Sequence, residues 1–462
     1  MFHQSTAPVA ASAGRARLSR RRMIALPGAG ALLAACGAPG AADGGGEAAV
    51  QSAGKRRDPV TLRSWWATPG ADNFPAFEAA DRAIRAKYPH CTVDFEVRPP
   101  GDYIAAVVAA AAANSLPDFL YAQGTQIQGF IKQGLIKALD AYLAKDKDFD
   151  LKDFPAVALK LYARDGKQFA VPPDHGPIFL WYNKDLFEKE GIKPPNAGWT
   201  MDDLLDAAKR LTKPGGAQWG MTNFIPAGGW TLHGSYLGPW GGRFLNEDET
   251  ETFVDSKESI QALEFWAATR LTHRVNPLPP DIQSVQRGYF GLFIQGTAAM
   301  HTGGSWDYRS MKVAQIPFVA DIADWPKGPK ARVSSSMGSA YPMSSATQHP
   351  DDCWLYMREF LGKDLERSVM GQWARTGVTV PLRHSLMPLW EKSEFAPPSA
   401  KIVGPAESYS VIGRPVSPAK AELDKIVNAA FAPVWEGKTA IAEAAREIKR
   451  QALPLLEGNK QR

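Results

Sequence analysis

The chain has 462 residues, 45% hydrophobic and 22% charged, with a formal charge of +5. All of that excess lies in residues 1–35, which carry Arg15, Arg17, Arg20, Arg21 and Arg22 and no acid. The remainder is neutral, so no clustered basic surface for a nucleic acid is expected. Three cysteines exclude a disulfide scaffold, and eight histidines without HExxH or CxxC spacing give no basis for a metal site or another cofactor.

At the N-terminus, the apolar run from Met23 to Ala35 holds about 13 residues and is broken by Pro27, Gly28 and Gly30, whereas crossing a bilayer takes ~20. Basic residues, a short apolar run and small residues in that order form the pattern of an export signal. LAAC (Leu33 to Cys36) resembles a bacterial lipobox, and SRRRMI (Ser19 to Ile24) resembles a twin-arginine signal, with plain Sec export the alternative. The expectation is a signal peptide over 1–35. Cys36 would then be the lipidated first residue of an exported protein, at the outer face of the cytoplasmic membrane or in the periplasm. Residues 36–57 are rich in Gly and Ala, without aromatic side chains, and read as a flexible tether reaching about 25 Å. With Cys36 assigned to lipid, Cys91 and Cys353 are left; export permits a bridge, and sequence leaves it open.

Beyond the tether, strand-like and helical runs alternate. VTLRSWW (Val60 to Trp66) reads as a strand, 74–88 as a helix, TVDFEVR (Thr92 to Arg98) as a strand and 103–114 as a helix. This βαβα order favours an α/β sheet. Thr200 with Asp203 three residues later predicts a helix start, whose face is Leu204, Leu205, Ala208 and Leu211. Ile441, Ala445, Ile448 and Ala452 predict another helix. The Gly/Pro-rich stretch 225–244 reads as loop.

Catalytic motifs are sparse. There is no G-x-S-x-G elbow; EGKT (Glu436 to Thr439) lacks the first glycine of a P-loop, having Ala432 there, and reads as a helix start. The carboxylate pairs Asp202-Asp203 and Asp351-Asp352 suit helix N-termini. Fourteen tryptophans stand out. Trp66, Trp230, Trp240, Trp306 and Trp373 sit beside Gly or Pro in apparent loops, where an indole is available to stack on the C–H face of a sugar.

The stretch 166–212, with YNKDLF (Tyr182 to Phe187) and a Pro then Trp-Thr helix start, resembles the signature region of family 1 extracellular solute-binding proteins, the sugar-binding components of ABC importers. SLPDFLYA (Ser115 to Ala122), FIQGTAAMHTGGSWD (Phe293 to Asp307), GVTVPLR (Gly377 to Arg383) and WEGKTAIAEAAREI (Trp435 to Ile448) resemble further family segments in the same order. The resemblance implies an α/β, two-lobed periplasmic-binding-protein-like fold (type II) with ligand in the cleft between lobes. Lobe I would take 58–175 and 333–388, and lobe II 176–332 and 389–462, closing by a hinge. The implied protein is a non-catalytic monomer that delivers a carbohydrate, mono- or oligosaccharide, to ABC permease subunits.

Position by position, the resemblance implies ligand contacts at Trp66, Gln123, Asp174, His175, Trp230, Trp240, Gly304, Trp306, Trp373 and Arg375. The family commonly has a Tyr-Asp-Thr-like trio at the hinge, where this chain has Pro173, Asp174 and His175. Arg383 is a fainter candidate, read alternatively as an inter-lobe ion pair. Two other readings stay open: the same fold binding a non-sugar solute such as a polyol phosphate, and an exported glycoside-active enzyme. The latter needs two carboxylates ~5–9 Å apart, and the tryptophan-bearing stretches offer no obvious pair.

Overall fold

The computed structural model describes residues 58–66, 74–98, 100–174, 176–223, 231–304, 306–377, 379–394, 396–414 and 419–460. The expected signal, Cys36 and the expected tether lie outside these. Residues 57–462 cluster as one compact unit. Among the described residues, no helix is long and apolar enough to cross a membrane.

Strand β1 (Val60–Trp66) alternates buried Val60, Leu62 and Ser64 with exposed Thr61 and Arg63, as a strand with one covered face must. It pairs in parallel with β2 (Cys91–Val97) over all seven residues and with β3 (Phe119–Leu120), giving the order β2-β1-β3. The helix Phe74–Lys87 makes the crossover between β1 and β2. Ala122–Gln123 is β4, and a small hairpin of β5 (Ala163–Arg164) and β6 (Lys167–Gln168) follows.

The second sheet is built on β7 (Gly176–Asn183), all eight residues of which are buried. Such a continuous apolar run marks a strand covered on both faces. It pairs antiparallel with β8 (Met300–Gly304) and β9 (Ala320–Ala323), and its first residues pair with β10 (Ser334–Met337). Next comes β11 (Ser339–Ala340), antiparallel to β4, and β12 (Ser410–Ile412) lies parallel to β10. The β4–β11 ladder thus links the first sheet to the chain leaving the second. Ser334–Met337 sits in the second sheet, although the expected lobe I segment began at 333.

Two hydrophobic cores result. One runs under the first sheet and reaches Phe179 and Trp181 on β7; the other holds Ile178, Leu180 and Tyr182 from the opposite face. The helix Met201–Leu211 closes the second core with Leu204, Ala208 and Leu211, while Leu205 lies half-buried at its flank. Its start is the expected capping box: Thr200 Oγ1 accepts the Asp203 N–H, and the Asp203 carboxylate accepts the Thr200 N–H at 2.8 Å. Ile441, Ala445, Ile448 and Ala452 are all buried on the helix Ile441–Lys460.

The expected loop over 225–244 is corrected in part. Leu232–Leu237 is π-helical and Gly238–Trp240 a 3-10 turn. Tertiary bonds override the Gly/Pro signal: Ser335 Oγ accepts the N–H groups of Gly234 and Ser235 at 3.0 Å each, and Ser235 Oγ accepts the Ser335 N–H at 2.9 Å. A Cβ on Gly234 would lie 2.6 Å from Ser335 Oγ, so only glycine permits this approach. Cys91 and Cys353 are both buried thiols with no bridge between them, and burial pushes the Cys353 thiol up.

Candidate functional site

Strand register brings the chemistry to one end of β7. Ile178 lies opposite Gly304 and Gly176 opposite Met337. Continued outward, the second register sets Ser339 level with Asp174, and this is visible as bonds: one Asp174 carboxylate oxygen accepts both the N–H and the hydroxyl of Ser339 at 2.8 Å. Ser339 in turn pairs with Gln123 across the β4–β11 ladder. Gln123 is exposed, and its backbone N–H donates to Gln126 Oε1 at 3.0 Å. Burial raises the Asp174 carboxyl above its ordinary range, and the two Ser339 bonds hold it back down.

Phenols crowd this carboxylate. Tyr121 lies beside the Gln123 and Ser339 side chains, Tyr341 lies beside Ser339, and Tyr162 lies within electrostatic reach of Asp174. Sequence reasoning missed Ser339, Tyr121 and Tyr341. Tyr121 stands in the quoted SLPDFLYA stretch, one residue before β4, and was the findable one.

At the end of β8, two adjacent glycines yield their side-chain space to neighbours. A Cβ on Gly304 would lie 2.2–2.4 Å from three ring atoms of Trp306, and a Cβ on Gly303 would lie 1.9 Å from Asp307 Oδ2. Trp306 therefore lies back across Gly304 and remains 39% exposed, an unusual state for an indole. The Gly304 carbonyl accepts the Trp181 indole N–H at 2.9 Å, and the Gly304 N–H lies near the Asp307 carboxylate.

A family model described as bacterial extracellular solute-binding protein matches residues 71–364, well over half the chain. The chain belongs to this family. The fold of this solute-binding protein is two-lobed and α/β, like that of an ABC substrate-binding protein from Listeria monocytogenes solved in complex with cycloalternan. That structure aligns with a TM-score of 0.76 at 21% identity, covering 86% of this chain and 99% of that one. A lactose-binding protein of Rhizobium radiobacter is 23% identical over 405 residues, 81% of this chain and 88% of its own. A binding protein of Brucella abortus is 31% identical over 150 residues, 32% of this chain, which spans 35% of that relative's length.

Of the residues expected to meet ligand in this solute-binding protein, Gln123, Asp174, Gly304 and Trp306 gather at the β7 end. His175 and Trp230 lie outside the described residues. Three expectations are corrected. Trp66 is 1% exposed, stacked on Tyr341 at 4.6 Å and edge-on to Phe77 at 4.0 Å; it ends β1 as expected, but its ring is packed in the core. Trp240 packs on Phe265 at 5.0 Å in the second core, and Trp373 points inward from the helix Val369–Thr376 towards Phe77. Arg375, on the same helix, is exposed and bonds Gln372 at 3.2 Å. Arg383 is buried against Asp153 at 3.0 Å, between the rings of Phe149 and Phe154. Both partners fall in the expected lobe I segments.

Beneath Gly303, His301 and Asp307 form a buried pair with Nε2 and Oδ2 4.0 Å apart, and Thr222 Oγ1 lies 2.9 Å from His301 Nδ1. Burial pushes Asp307 up to about 7, against the Gly304 N–H and the charge of Arg287, and pushes His301 down to about 3. Near pH 5 the folded pair carries its proton on the carboxyl, and the unfolded pair carries one on the imidazole. Both states bind the same number, so from about pH 4 to 6.5 the pair adds no slope to stability. Asp307→Asn leaves the depressed imidazole alone, and stability is then expected to fall as pH drops from about 6.5 to 4, by on the order of 3 kcal/mol. His301→Gln leaves the raised carboxyl, and stability falls instead as pH rises from about 4 to 7. Urea unfolding across this range reads both; flat profiles in the two variants would contradict the assignment.

Proposed function

We propose that this solute-binding protein captures a carbohydrate between its lobes and delivers it to an ABC-type permease. The observation that carries the reading is the exposed Trp306 indole at the same end of β7 as the Asp174 carboxylate: an aromatic face for sugar C–H groups beside an acceptor for hydroxyls. The relatives bound to or named for saccharides support it. The lobes divide as 58–175 with 333–388 and 176–332 with 389–462, with β10 lying at the second crossing. Gln123 and Asp174 face the cleft from one side and Gly304 and Trp306 from the other; His175 and Trp230 complete the set.

Titration calorimetry of the mature protein against lactose, cycloalternan and maltotriose tests this. Binding in the micromolar range with no product formed is expected, and no heat with any sugar would overturn it. Trp306→Ala should weaken binding about 10- to 100-fold, the 1–3 kcal/mol of a stacked ring and its buried area, with little change in unfolding. An equal loss of stability would make the ring a packing residue.

The reading extends to location. Residues 1–35 act as the export signal, twin-arginine or Sec, and Cys36 carries the lipid that holds a monomer at the membrane through residues 36–57. A Cys36→Ser protein should be released in soluble form, and retention in the membrane fraction would break the anchor assignment.

A further inference from the structure

Trp306 is placed by more than its own contacts. The Asp307 carboxylate occupies the volume where Gly303 would carry a side chain, and it lies within reach of the Gly304 N–H. It thereby ties the start of the helix Asp307–Val313 to the end of β8. The charged and titratable groups that face it are His301 from β8 and Arg287 ahead of the helix Gly288–Ile294. The imidazole is 2% exposed and stacks on Phe293 at 5.6 Å, with Phe290 at 5.3 Å, so it stays neutral and is held in place. The next residue, Tyr308, stacks on Trp181 at 5.7 Å, which fixes the helix to β7.

We propose that Asp307 is a positioning residue for the Trp306 ring, and that ionisation of its carboxyl couples ligand affinity to pH. The ionised carboxylate is the stronger acceptor for the Gly304 N–H, charge-assisted bonds being roughly twice as strong as neutral ones. Protonation weakens that bond and turns the acid into a donor for His301 Nε2, drawing it away from the Gly304 backbone. The ring is presented by the ionised form, and ligand selects that form. With the carboxyl of the free protein pushed up to about 7, binding near neutrality releases a proton, and affinity rises as pH rises through 7.

This inference rests on the carbohydrate reading, in which Trp306 meets the ligand. Its test is calorimetry with lactose and cycloalternan at pH 6, 7 and 8, in buffers of differing ionisation enthalpy. A fraction of a proton released per ligand at pH 7, and an affinity several-fold higher at pH 8 than at pH 6, are expected for the native protein. Asp307→Asn keeps a neutral amide acceptor for Gly304 and cannot titrate, so it should bind with a flat pH profile and no release. Asp307→Ala should bind at least tenfold more weakly at every pH. A carboxylate that only stabilised the fold would leave proton release unchanged in the asparagine variant. Heat without proton release in the native protein overturns this inference alone. No heat with either sugar overturns the carbohydrate reading and this inference together.

Discussion

Trp66→Ala is expected to lower the unfolding free energy by about 3–5 kcal/mol, the range for deleting a large buried aromatic. The indole is enclosed by Tyr341, by Phe77 and by Phe95 at 5.0 Å, and donates to Ser64 Oγ at 2.6 Å. Its loss opens a cavity among rings that hold one another in edge and stacked geometry, and leaves the buried Ser64 hydroxyl without that donor. Urea denaturation reads the effect through the midpoint at constant slope. The same variant, at a temperature where it remains folded, should bind sugar nearly as tightly as the native protein. A stable variant that has lost binding would restore Trp66 to the ligand site and contradict the packing described.

Asp174→Ala acts on the link between the two sheets. The lost carboxylate had accepted two bonds from Ser339, each worth ~1.5–3 kcal/mol to a charged acceptor when buried. Asp174 is half-buried, so water restores part of this, and a net cost of about 2–4 kcal/mol is expected. Asp174→Asn retains one acceptor and should cost less. Sugar affinity should fall at least tenfold in the alanine variant, because the acceptor at the β7 end disappears. Denaturation and calorimetry on one preparation separate the two effects; stability within about 0.5 kcal/mol of native would show that the Ser339 bonds are not formed in solution.

How much of this was legible in the sequence follows from the range of the interaction that decides each element. Val60–Trp66 was bounded correctly because the alternation of buried and exposed side chains is local, and Thr200 with Asp203 announced a helix start because capping spans three residues. The α/β class and the family were readable for the same reason. Trp240 and Trp373 were misjudged because neighbouring glycines suggested loops, while the orientation of an indole depends on partners such as Phe265 and Phe77 far along the chain. Leu232–Trp240 was missed as helical because Ser335, about a hundred residues away, supplies the bonds that hold it. Ser339 could be assigned to Asp174 only once the pairing of β4 with β11 and of β7 with β10 was known.

The buried strand β7 has a thermodynamic consequence. Phe179 and Trp181 belong to one core and Ile178, Leu180 and Tyr182 to the other, so neither core can lose its order without stripping a face from the same eight residues. Unfolding of the two cores is therefore expected to be coupled. If ligand binds at that end of β7 as proposed, resistance to unfolding and proteolysis is expected to rise in both cores when it is bound.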